Sequence, residues 1–410
     1  MFPPFRLGAP GIRASSFTWA TQATRATRAA RCALFDAILL AAVVACGGSP
    51  LGASPTASVG GRQGSLPQYV RTGSMVHARD SQTATLLRGG DVLLAGGRMQ
   101  VLEGSISVSV ALPSAELFDA AKGTFTATGS MASPRYLATS TLLADGRVLI
   151  AGGDSSASQL PSAELYDPKA GDFTATGSMS VARAAATATA LPNGRVLVAG
   201  GWDGTQALAS AEVYDPATGT FTATGAMTDA RAYAVAVPLA DGRVLVAGGW
   251  DGTNALASAD LYDPASGTFS RVGAMSSGRE FAAAVRLSDG SVLITGGWDG
   301  SRTLASVDVY DPSSGGFRET SPMASVRISH TATLLADGRA LIADGEDGPG
   351  GSALASAEFY DPKTRSFSPA GAMWGARISG TATPLPDGRI LIAGGAANVG
   401  EVARAEFYEP

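Results

Sequence analysis

Apolar residues in this chain come in short runs, each closed off by turn formers, and from about residue 66 onward the spacing is that of strands rather than helices. The stretch Thr187 to Met227 is representative. An apolar run leads into Asn193-Gly194, then Arg195-Val196-Leu197-Val198-Ala199-Gly200-Gly201, a loop, Ala211-Glu212-Val213-Tyr214-Asp215-Pro216, and Thr220-Phe221-Thr222. This predicts four strands. Asn-Gly or Asp-Gly between apolar runs predicts a tight hairpin, here expected to be a type I′ turn with both central residues at positive φ. The pair recurs as Asp145-Gly146, Asp241-Gly242, Asp289-Gly290, Asp337-Gly338 and Asp387-Gly388, with Gly89-Gly90 in the first unit. A second hairpin is expected at Asp-Pro followed by glycine, because proline fixes φ and cannot donate to a ladder.

The unit repeats seven times. Met75, Met131, Met179, Met227, Met275, Met323 and Met373 stand 56, 48, 48, 48, 48 and 50 residues apart. Four residues after each comes an arginine: Arg79, Arg135, Arg183, Arg231, Arg279, Arg327 and Arg377. The order of glycine pair, Tyr-Asp-Pro, aromatic, methionine and arginine resembles the Kelch repeat, from about residue 66 to the C-terminus. Two differences are visible. Phenylalanine (Phe125, Phe173, Phe221, Phe269, Phe317, Phe367) stands where the fourth strand of a Kelch unit commonly has tryptophan, and Asp344-Gly345 replaces one glycine pair.

The resemblance implies an all-β fold, a seven-bladed β-propeller of four-stranded Kelch-type blades. The seventh unit reaches Pro410 with three strands, whereas Tyr69 lies six residues before Met75, the same offset as Phe125 from Met131. Gln68 to Thr72 is therefore expected to complete the last blade and close the ring, removing an exposed sheet edge.

Composition adds a compartment. Gly (52) and Pro (22) suit a turn-rich chain, and a formal charge of −5 with no basic block argues against nucleic acid as a partner. Cys32 and Cys46 are the only cysteines and precede the repeats, so the folded domain is expected to use neither disulfide nor thiolate chemistry. Arg25, Arg28 and Arg31, an apolar run from Ala37 to Val44, and then Ala45-Cys46-Gly47 resemble a bacterial lipoprotein signal. That resemblance implies lipidation of Cys46, no inner-membrane retention signal at Gly47, and a place in the cell envelope, at the outer membrane or cell surface. An ordinary secretory peptide cut near the same position is the alternative. The expected organisation is a leader over 1–45, a Gly/Ser/Ala/Pro-rich flexible tether over 46–65, and the propeller over 66–410.

In a four-stranded blade the 1–2 and 3–4 turns share one face of the disc (the turn face), and the 2–3 and 4–1 connections share the other (the loop face). Variation between units concentrates on the loop face: an eight-residue excess between Arg98 and Leu112, and two extra residues around Glu346, Asp347, Gly348 and Pro349. Binding residues are usually placed on such loops. After the glycine pair, three consecutive units carry Trp202-Asp203-Gly204, Trp250-Asp251-Gly252 and Trp298-Asp299-Gly300, where the others have Arg98, Asp154, Glu346 and Ala396. Three indoles on one rim could form a platform for a sugar or a proline-rich peptide; alternatively, Trp-Asp-Gly shapes the loop. The seven arginines, present in every unit, are expected to be structural, bonding a neighbouring blade's carbonyls or carboxylates. Asp80, Tyr136, Tyr233, Glu280, Phe281 and His330 follow them and differ between units, so they either line an asymmetric central pocket or pack behind the first strands.

Kelch-like propellers include copper-radical oxidases resembling galactose oxidase, and sugar mutarotases. The copper centre of such oxidases needs two histidines, two tyrosines and a cysteine crosslink, whereas this chain has only His77 and His330 and no cysteine in the repeats. No metal site or cofactor is expected, nor a phosphate-cradling loop or nucleophile elbow. The sequence thus points to a lipid-anchored, monomeric binding or scaffold module for a protein or glycan, touching the membrane only through its anchor. The alternative is an extracytoplasmic carbohydrate-active enzyme, mutarotase- or hydrolase-like, working through Glu280, Asp80 or Glu346-Asp347.

Overall fold

The computed structural model describes residues 68–103, 106–398 and 400–410. The expected leader, tether and lipidated Cys46 lie outside them. The described residues form seven four-stranded antiparallel sheets in a closed ring and two short two-stranded hairpins. Blade 1 is Thr83–Leu86, Val92–Ala95, Ala115–Asp119 and Thr124–Ala127. Its pattern recurs blade by blade to blade 7, made of Thr381–Pro384, Ile390–Ala393, Arg404–Glu409 and, from the other end of the chain, Gln68–Ser74. Gln68 pairs with Glu409, Tyr69 with Tyr408, Val70 with Phe407 and Arg71 with Glu406, the ring closure expected from the sequence.

The second strands explain the apolar runs. Val196–Ala199, like its six counterparts, is buried along its whole length because a sheet stacks on each of its faces. The core is accordingly divided among the seven junctions between blades. At one of them, Leu93 and Ala115 of blade 1 meet Met131, Val148, Ile150 and Tyr166 of blade 2. The tyrosine of each Tyr-Asp-Pro ties such a junction together: Tyr166 stacks on Phe173 at 4.9 Å, and its hydroxyl is 2.8 Å from Thr128 Oγ1 of the preceding blade.

One turn prediction is corrected. In the 1–2 turn of blade 3, Gly194 has φ +80° while Asn193 is not in the left-handed region, so the turn is not type I′. Gly194 N–H donates to Leu191 O at 3.0 Å and Leu191 N–H to Arg195 O at 2.8 Å. That is a three-residue loop, a type I turn followed by a left-handed glycine bulge. The extra residue, Pro192 here, supplies the first turn position that the two-residue reading omitted.

The glycine pairs do need glycine. Gly248 has φ +67°, and a Cβ there would sit 2.5 Å from Arg279 O of the next blade. Met275, the methionine of that next unit, packs its methyl against the same spot.

Candidate functional site

The seven arginines are buried, Arg79, Arg279 and Arg327 completely. Arg279 is typical: Nη1 donates to Gly296 O (2.7 Å) and Ser306 O (2.9 Å), and Nη2 to Asp308 Oδ2 (2.6 Å). Burial pulls its pKa below the ordinary value, and the carboxylate of Asp308 opposes that shift. All these partners belong to the arginine's own blade, so the expectation of guanidinium bonds to a neighbouring blade is corrected. The arginine's backbone, not its guanidinium, crosses a junction: Gly201 N–H donates to Arg231 O at 2.9 Å, and Arg231 N–H to Leu208 O at 3.0 Å. A guanidinium fork spanning strand 3 and the 2–3 loop fixes where the 4–1 connection lands.

Two residues past each arginine stands a residue in an unusual backbone conformation, and of the seven only Tyr233 and Phe281 are site candidates from the sequence. Ser81, Leu137, Ala185, Tyr233, Phe281, Ser329 and Ser379 all have φ between 51° and 55°. None is glycine, and the left-handed region costs an ordinary residue about 1 kcal/mol or more. Neighbouring blades hold them there. Leu137 N–H donates to Ser81 O (3.1 Å), Ala185 to Leu137 O (3.0 Å), Tyr233 to Ala185 O (3.0 Å), Ser329 to Phe281 O (3.0 Å), Ser379 to Ser329 O (3.1 Å) and Ser81 to Ser379 O (3.2 Å). These bonds pass from blade to blade, forming a belt around the axis at the loop-face mouth of the channel. Tyr233 and Phe281 are ring neighbours in it, with centroids 4.4 Å apart. The belt is lopsided: Leu137, Ala185, Tyr233 and Phe281 are consecutive and apolar or aromatic, and Ser329, Ser379 and Ser81 are consecutive hydroxyls. Because these side chains span serine to phenylalanine while their backbone is uniform, no residue-type signal could have revealed the belt.

The other predicted residues fall around this mouth. The residue after each arginine bridges the one after the glycine pair, as in Ala184 with Trp202, Ala232 with Trp250, Glu280 with Trp298 and Tyr136 with Asp154. Trp202 and Trp250 are buried and stacked at 5.4 Å, packing with Ala207 and Ala232, so the structure does not present three exposed indoles as a platform. Trp298 is half-buried. The aspartates that follow shape the loops: Asp203 Oδ1 accepts from the N–H groups of Thr205 (2.7 Å) and Gln206 (2.8 Å). Arg98 is buried, its Nε donating to Asp80 Oδ1 at 3.1 Å and its guanidinium lying 5.2 Å from the Tyr136 ring centroid. Tyr136 and Glu280 are buried, and Tyr233 and Phe281 are half-buried. The eight-residue excess forms a hairpin, Arg98–Glu103 with Ile106–Ala111, that rises from the same face.

His330 is not at the mouth surface. It fills the junction between blades 5 and 6, its Nε2 2.8 Å from Thr295 Oγ1, and burial pushes its pKa down to about 3, helped by Arg327 and Arg279. His77, by contrast, is half-exposed beside Glu116. Among the described residues there is no group of three or more His, Cys, Asp or Glu side chains able to hold a metal ion.

At the next junction Asp344 occupies a glycine position with φ +58°, opposite Gly380, fully buried and without a well-formed hydrogen bond to either carboxyl oxygen. Burial raises its pKa to about 8 against the pull of Arg377 and Thr331. The two groups give opposite pH dependences. The Asp344 penalty is absent below about pH 4, grows as pH rises and is complete above about 8. That of His330 is absent above its ordinary 6.5 and grows as pH falls toward 3. Asp344→Asn is expected to flatten the alkaline loss of stability, and His330→Gln the acidic loss, in urea midpoints taken from pH 3 to 9; unchanged slopes would refute both assignments.

The seven-fold register and the closed ring define the class as a β-propeller of Kelch-type repeats. In agreement, the family model "Kelch motif" matches residues 183–228, 231–276 and 282–324, and the protein is a Kelch-repeat propeller. Among solved structures, a fungal alcohol oxidase of the AA5 family in complex with copper is similar, with a TM-score of 0.68 and 18% identity over 84% of this chain and 77% of that one. The structure of YjhT is similar with a TM-score of 0.56 and 15% identity, covering 72% of this chain and 98% of that one. At these identities the likeness is one of fold. No curated protein matches the sequence.

Proposed function

We propose that this protein is an extracytoplasmic binding and scaffold module, anchored by a lipid on Cys46, that recognises a protein or glycan through the loop face. The observation that carries this reading is the lopsided belt, whose half-buried Tyr233–Phe281 pair sits beside a run of serine hydroxyls at the channel mouth. Aromatic faces next to hydroxyls suit a ligand with one apolar and one polar side. Charge plays little part, because the seven arginines and Arg98 are engaged internally.

Of the carboxylates of the enzymatic alternative, Asp80 is bound to Arg98 and Ser81 and Glu280 is buried, whereas burial, with Asp347 beside it, raises the pKa of Glu346 to about 7.

The test presents the purified protein to a glycan array and to a cell-envelope extract. Tyr233→Ala/Phe281→Ala should weaken capture at least tenfold, about 1.4 kcal/mol or more, with an unchanged thermal midpoint. Equal capture by the folded double variant would remove this site.

A further inference from the structure

The opposite end of the channel has a cavity of its own. The first strands of all seven blades are neighbours around the axis, and at their turn-face ends blades 4 and 5, with Leu334 of blade 6, line an open cavity of about 530 Å3. That lies within the roughly 300–1,000 Å3 of small-molecule sites. The walls are apolar: Val237 and Pro238 from blade 4, Ala284 and Leu287 from blade 5, Leu334 from blade 6.

One residue breaks the pattern. The last position of the first strand is Leu86, Leu142, Ala190, Pro238, Leu334 or Pro384 in six blades, and Arg286 in blade 5. This arginine is exposed and lines the cavity. Its Nη1 donates to Pro238 O across the junction at 3.0 Å, and among the described residues it meets no carboxylate. Arg88 resembles Arg286 in donating Nη2 to Ala144 O of the next blade at 2.6 Å but rims a different cleft, whereas four other arginines of this face, Arg147, Arg243, Arg339 and Arg389, each pair with the aspartate of their own turn at 2.6–2.7 Å. Blade 5 has Ser291 at that position, and Asp289 is taken up by the Ser291 N–H (3.0 Å) and hydroxyl (2.6 Å).

A guanidinium held by one backbone carbonyl at the rim of an apolar cavity retains Nε and Nη2 for a carboxylate, which it can bind in bidentate form. We propose that this turn-face cavity is a second binding site, for an aliphatic carboxylate whose chain enters between blades 4 and 6 while its head pairs with Arg286. The site is independent of the loop-face reading.

Calorimetric titration of the full-length protein tests it with three probes: decanoate below its micelle concentration, decanol and acetate. Decanoate should bind saturably at one site per chain, decanol at least tenfold more weakly, and acetate not measurably. Arg286→Met should abolish the preference for decanoate over decanol at an unchanged thermal midpoint, and Arg286→Lys should restore part of it. Ala284→Phe, which fills the cavity, should remove binding of both ten-carbon probes. If Ala284→Phe does not fold, the Arg286→Met comparison decides alone. Absence of saturable decanoate binding, or binding indifferent to Arg286, overturns the proposal.

Discussion

Arg279→Leu is expected to destabilise the ring by about 3–5 kcal/mol, the cost of leaving a buried carboxylate without its cation. The structural reason is Asp308, 1% exposed, whose carboxylate keeps only Ser276 when the guanidinium is removed, while the carbonyl of Gly296 loses the Arg279 donor and that of Ser306 keeps only Gly296 N–H. Arg147 supplies the contrast. Its pair with Asp145 is one-third to one-half exposed, so Arg147→Ala should cost no more than about 1 kcal/mol. Denaturant midpoints of the two variants should therefore separate clearly. Arg279→Leu/Asp308→Leu should recover part of the loss, because two apolar side chains replace a stranded charge. Equal midpoints for Arg279→Leu and Arg147→Ala would show that the fork is not a structural requirement.

Removal of the chain up to Ser74 should have the other large effect. It takes the fourth strand from blade 7, together with the buried ring of Tyr69, which lies 5.4 Å from Tyr408. Loss of one large buried aromatic costs about 3–5 kcal/mol, a large part of the roughly 5–15 kcal/mol that holds a domain together. More than the blade is lost. Thr72 Oγ1 and Gly73 N–H both donate to Gly123 O of blade 1, and Trp374 Nε1 of blade 6 donates to Tyr69 O at 2.6 Å. The strand thus ties blades 6, 7 and 1 together, and its absence bares the edge of Arg404–Glu409. The truncated chain should elute as oligomers or aggregate in size-exclusion chromatography with light scattering, and a peptide covering residues 66–74 should restore a monomer. A stable truncated monomer would mean that the ring does not depend on this closure.

What the sequence determined alone is the repeating plan of strands and turns. Strand number, hairpin positions, the register of methionine and arginine and the closing role of Tyr69 follow from local turn chemistry and alternation, which seven copies report in phase. Where the sequence reading erred, a local reading met a longer-range constraint. Asn193-Gly194 looked like a two-residue turn until the Leu191–Arg195 pairing made the loop three residues long. By sequence Trp202 and Trp250 are candidates for an exposed platform, and His330 is open between a central pocket and packing behind the first strand; all three are buried against a neighbouring blade. Only the tertiary structure could decide that Tyr233 and Phe281, 48 residues apart, touch at the mouth, and that Arg286 rims an apolar cavity at the other end of the channel. The physical reason is that a propeller blade buries its faces only against its neighbours, so the exposure of a side chain is set by a residue one repeat away, which local patterning cannot report.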